Sequence, residues 1–83
     1  MPVTESPAQR VPRIGDIVLY HHFDGGRLLA LAALIARVER PGEPRSDVFL
    51  TVFRPGRTPE PHNSAIPFAE GPTNNYWSWR EGG

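Results

Sequence analysis

Eighty-three residues without a cysteine make one small domain that neither a disulfide nor a thiolate-held metal can staple. Its stability must come from a compact apolar core, extended where needed by self-association. Nine arginines balance nine acidic residues, lysine is absent and the formal charge is zero, which argues against nucleic-acid binding through bulk electrostatics while leaving room for a local arginine patch.

The all-arginine basic set suits bidentate capture of phosphate or carboxylate. A GC-rich genome, which also favours the ten prolines and eight glycines, accounts for it more simply. Residues 1–12 carry Pro2, Pro7 and Pro12 among polar neighbours and read as an extended or disordered arm. Met1 to Val11 has no apolar stretch of the kind a signal peptide needs. The longest apolar-rich run, Leu28 to Val38, is too short to cross a bilayer and contains Arg37. A soluble, intracellular protein is the expectation, with no membrane partner.

The folded domain is expected over residues 13–81. Gly15-Asp16 signals a turn, and the β-branched and aromatic residues through Tyr20 favour a strand. Asp24-Gly25-Gly26 supplies positive-φ positions for a tight reversal or a loop tip. Leu28 to Val38 is ambiguous. Its leucines and alanines favour helix, but it is short, lacks an N-cap and follows two glycines. A continuous apolar run also suits a central strand covered on both faces, so a strand is expected over about Ala32–Arg40. Pro41-Gly42-Glu43-Pro44 ends it.

Asp47–Phe53 is the clearest strand, with Val48, Leu50 and Val52 on one face and Phe49, Thr51 and Phe53 on the other. Arg54-Pro55-Gly56-Arg57 turns the chain and Pro59-Glu60-Pro61 keeps it in a loop. Ser64–Phe68 reads as a short strand that Pro67 confines to an edge or bulge, and Glu70-Gly71-Pro72 turns into an aromatic terminal strand. The fold expected is all-β, a small SH3-like, strongly bent five-stranded β-barrel behind the N-terminal arm.

Residue types for catalysis are present but do not converge. His21 and His22 are adjacent, so one strand points them to opposite faces, and His62 lies far along the chain. Ser6, Ser46, Ser64 and Ser78 sit in no nucleophile-elbow motif, and Asp24-Gly25-Gly26-Arg27 lacks the ending of a phosphate loop. No catalytic residue, no metal site and no cofactor is expected.

Recognition chemistry gathers at the C-terminus. Asn74, Asn75, Tyr76, Trp77, Trp79 and Arg80 combine amides, π-faces and a guanidinium within seven residues. Trp77 and Trp79, spaced i, i+2, share a strand face. They read first as a core plug and second as a stacking face for a base, nucleotide or peptide. The candidate binding set is Asn75, Tyr76, Trp77, Trp79 and Arg80, with Phe53 and Arg54 from the end of the third strand. Trp77 is expected in the core, and Trp79, nearer the chain end, partly exposed or at a subunit interface.

The chain resembles a family of small proteins encoded by tailed bacteriophages and by actinobacterial or proteobacterial prophages. The matching segments are Val11–Tyr20 with its Gly-Asp-Ile-Val start, Ala33–Val38, Leu50–Gly56, Ile66-Pro67-Phe68 and Tyr76–Glu81 with its Trp-x-Trp. The resemblance implies a phage origin and a β-barrel, and it brings no established activity. Size, missing catalytic groups and resemblance together lead to an expected non-enzymatic phage accessory protein. It would bind a host factor or a nucleotide-like ligand in the host bacterial cytoplasm, acting in counter-defence by sequestering a nucleotide-derived signal or a host protein. A homo-oligomer would help form such a site. The alternative is a virion component, a decoration, connector or tail-associated protein.

Overall fold

The computed structural model describes residues 10–80; most of the expected N-terminal arm lies outside them. Gly15, at φ 96°, turns the chain, and the Asp16 carboxylate accepts the Arg13 backbone N–H at 3.0 Å. Strand β1 then runs Ile17–Asp24. Gly25 and Gly26 follow with φ of 63° and 83°. Two successive left-handed residues make a type I′ turn, whose twist matches that of the strands it joins. Pairing therefore starts at once, Asp24 against Arg27, and continues to Ile17 against Leu34.

The second strand, β2, is Arg27–Val38. It begins five residues ahead of the expected Ala32 because the tight glycine turn leaves no loop to cross, and it stops at Val38 rather than Arg40. The leucine- and alanine-rich run is a strand, so tertiary pairing overrides its helical propensity. Strand β3, Val48–Val52, pairs with β2, with a register shift between Ile35 and Arg37.

Glu60–Pro61, expected as loop, forms a short strand β4 on β3. The His62 N–H donates to the Leu50 carbonyl at 2.8 Å, and Pro61, with no N–H to give, is tolerated at the sheet edge. The expected strand at Ser64–Phe68 is instead two isolated bridges, Ile66 to Val48 and Phe68 to Trp77. The terminal strand β5 is only Trp77–Ser78.

These strands form one five-stranded sheet in the order β4-β3-β2-β1-β5, and every pairing within it is antiparallel. The fold is all-β, as expected. The sheet is open in that order, its end strands β4 and β5 at opposite edges. The segment around Pro67 reaches both sides of it. Ile66 exchanges two backbone hydrogen bonds with Val48 (2.7 and 3.0 Å), while Trp77 N–H donates to the Pro67 carbonyl and Ala69 N–H to that of Trp77.

One face of the sheet carries the core. Val18 and Tyr20 of β1, Leu31, Ala33 and Ile35 of β2, and Val48, Leu50 and Val52 of β3 are buried together with Ile66, Phe68, Trp77 and Trp79. The period-two alternation of β3 matches this inward set. Pro12 is fully buried and the Arg10 guanidinium lies 4.2 Å above the Trp79 ring. The packed unit thus reaches back to Arg10, ahead of the boundary expected after residue 12.

Candidate functional site

The seven residues expected to form one site fall into three places. Trp77 and Trp79 are core. Trp77 has no exposed surface, and its ring meets Phe68 at 4.7 Å and Trp79 edge-on at 5.2 Å. Its Nε1–H donates to the Ser46 carbonyl at 3.2 Å. Ser46 is itself fully buried, and its hydroxyl accepts from Arg40 N–H and donates to the Asp47 carbonyl. A serine in a proline-rich loop gave no sign of this anchoring role. Trp79 is 8% exposed, not partly open as expected. The Arg10 guanidinium over its ring and the Trp77 edge cover it, so neither indole offers a free stacking face.

Asn75 and Arg54 belong to a polar cluster at one end of the core. The Tyr20 hydroxyl donates to Asn75 Oδ1 at 3.1 Å, and the neighbouring Asn74 side chain accepts the Phe23 backbone N–H at 2.8 Å. Asn75 takes φ 68°, a left-handed conformation asparagine tolerates better than most residues. His62 packs edge-on against Tyr20 at 5.0 Å, and the His22 ring lies nearly parallel to it at 6.2 Å. The Arg54 Nε–H donates to Glu60 at 2.8 Å. That bond holds the Glu60 carboxyl below the usual range, while burial raises the Tyr20 phenol, an effect the Arg54 charge offsets in part. Asn74 and Asn75 therefore also cap β1.

A further polar pair lies on the opposite face. His21 Nε2 and Ser78 Oγ are 2.7 Å apart, and both residues are buried. Adjacent histidines on one strand diverge, as the alternation requires. Among the described residues no group of three or more His, Cys, Asp or Glu side chains comes together to hold a metal ion.

Burial holds the His21 imidazole below its ordinary pKa of 6.5. The unfolded chain therefore takes up a proton that the folded ring resists. Stability from this residue is fully present above pH 6.5 and is lost as pH falls through the lower folded value. Urea midpoints of the wild type are expected to drop between about pH 7.5 and about pH 5.5, and His21→Gln is expected to narrow that drop. An equal drop in the variant would rule out His21 as its source.

Phe53 and Tyr76 sit on the third surface, the outer face of the sheet, and Arg80 is exposed just past β5. The strand alternation and pairing place Ile17, Leu19, His21 and Phe23 of β1 on this face beside Leu34, Ala32, Ala30 and Leu28 of β2. Phe53, whose N–H donates to the Ala32 carbonyl, extends it beyond β3. No side chain in the paired block carries a formal charge with His21 neutral. Phe23 is 53% exposed, Ile17 51%, Phe53 42% and Tyr76 36%, and Ala30 and Ala32 are also exposed. Among the described residues the apolar run of β2, expected to be covered on both faces, is covered on one.

Among the described residues the arrangement is a single open antiparallel sheet with a buried inner face and an apolar outer face that is closed at His21 and Ser78 and open at Ile17, Phe23, Ala30, Ala32 and Phe53. Comparison with family models, with curated proteins and with solved structures returns no match. Among the described residues no helix is long and apolar enough to cross a membrane.

Proposed function

We propose that this chain is a non-enzymatic binding protein, a phage accessory factor that acts by docking its outer sheet face onto a protein surface. The observation that carries the reading is the exposure of Ile17, Phe23, Phe53 and Tyr76 around the neutral Ala30-Ala32 strip. Monomeric proteins seldom leave an apolar patch of this continuity in water, and such patches mark interaction sites. Docking onto a protein surface fits the face better than nucleotide sequestration, because both indoles that would have stacked on a base are in the core. A virion role uses the same face for assembly. The strands are further proposed to make an SH3-like bent barrel, supported by the Ile66 and Phe68 bridges on the two sides of the sheet.

Phe53→Ser and Tyr76→Ser test the docking role. Both change exposed positions, so melting temperatures are expected to stay within a few degrees of wild type, while association with any partner weakens at least about tenfold. Partner binding equal to wild type in both would remove the outer face from the function. Mass spectrometry of purified particles separates the accessory role from the virion role. A thermal-shift screen with cyclic and ADP-ribose-like nucleotides tests the small-ligand version.

A further inference from the structure

We infer that the occupant of the outer face is a second copy of this chain, seated sheet to sheet about a two-fold axis. The inference rests on the docking role of that face and names its partner. Three features of the face support it.

The first is the sequence of β2. A strand buried on both faces reads as a continuous apolar run, and Leu28–Ile35 is such a run. Within one chain only its Leu31, Ala33 and Ile35 face is buried. Residues 10–80 do not supply the remaining cover.

The second is symmetry. A two-fold interface places one patch against itself, so the patch must be self-complementary. Along β2 the outward residues are Leu28, Ala30, Ala32 and Leu34, which read the same in both directions about Leu31. An axis lying across the strands at that level sets Leu28 over the partner's Leu34 and Ala30 over the partner's Ala32. Leu31 pairs with Tyr20, so the same axis brings Phe23 over the partner's Ile17. Those are the two most exposed apolar side chains of β1, and each covers the other. The alanines leave a hollow between leucine ridges, and Phe53, hydrogen-bonded beside Ala32, is placed to lean into it from each subunit.

The third is charge. The paired block offers no anchor to a charged partner, whereas a second copy brings a matching neutral face. The chain's zero net charge adds no overall repulsion.

Sedimentation and light scattering of the full chain across about a hundredfold range of concentration provide the test. Wild type is expected at twice the 9.2 kDa chain mass, with a melting temperature that rises with concentration. Ala32→Glu is expected to weaken the dimer at least about 100-fold, because two carboxylates would be buried without partners. Phe23→Ser should weaken it too, with the fold of the single chain kept. If Ala32→Glu fails to fold, Phe23→Ser and the concentration dependence of wild-type melting decide.

A dimer that Ala32→Glu and Phe23→Ser leave intact would overturn the inference, since it would use another surface. So would a wild type that stays monomeric at the highest concentration. A monomer that still binds an apolar dye in an Ala32-dependent way would lose only the second-copy inference. A monomer that binds no dye would lose the docking role as well.

Discussion

Trp77→Ala is expected to destabilise the fold by about 3–5 kcal/mol, the range for truncating a large aromatic in a core. That is a large part of the ~5–15 kcal/mol that holds a domain together. The effect has three sources in the structure. The indole is fully buried between Phe68 and Trp79. Its Nε1–H satisfies the Ser46 carbonyl, which ties down the Pro41–Ser46 loop. Its backbone joins β1 on one side and the Pro67 segment on the other. Trp77→Phe retains most of the packing and loses the hydrogen bond, at a cost of about 1–3 kcal/mol for a carbonyl left unsatisfied. Urea denaturation followed by circular dichroism measures both. A Trp77→Ala loss below about 1 kcal/mol would place the indole outside the core.

Trp79→Ala is expected to cost nearly as much, again about 3 kcal/mol or more, although its place near the chain end suggested an exposed role. Only 8% of the residue is exposed. The Arg10 guanidinium above the ring adds a cation–π contribution of about 0.5–1 kcal/mol. The two indoles meet edge-on, so the double variant should fall short of the summed single losses by about 0.5–1.5 kcal/mol. Trp79→Phe should be milder than Trp77→Phe, because Trp79 Nε1 has no acceptor among the described residues. If Trp79→Ala left stability unchanged and dissolved the dimer, the sequence expectation for this residue would be restored.

The all-β class was legible wherever local chemistry and tertiary need agreed. The alternation of Val48, Leu50 and Val52 predicts β3 almost to the residue, since period two has one burial solution. The glycine pair at 25–26 predicts the hairpin tip because only a left-handed turn uses both. The extent of β2 was less legible. Its start depends on how tightly that turn closes, which propensity does not encode. Glu60–Pro61 looked like loop because two prolines flank the glutamate, yet an edge position needs no N–H from Pro61.

The candidate site divided because spacing along the chain does not fix what lies across the sheet. Seven residues were grouped by nearness in sequence and by residue type. Strand alternation instead sends Trp77 and Tyr76 to opposite faces, and the loop residue Ser46, 31 positions upstream, proved to be the Trp77 anchor. The outer face was hidden for a different reason. A continuous apolar strand looks the same whether its second cover belongs to the same chain or to another.

Covalent footprinting of apolar side chains, read by mass spectrometry at low and high protein concentration, tests the central claim most directly. Trp77 and Trp79 are expected to resist labelling at both concentrations. Ile17, Phe23 and Phe53 are expected to label readily when dilute and to become protected when concentrated. Strong labelling of Trp79 together with concentration-independent labelling of Phe23 and Phe53 would contradict it, placing the interacting surface at the C-terminal indoles instead of on the outer sheet face.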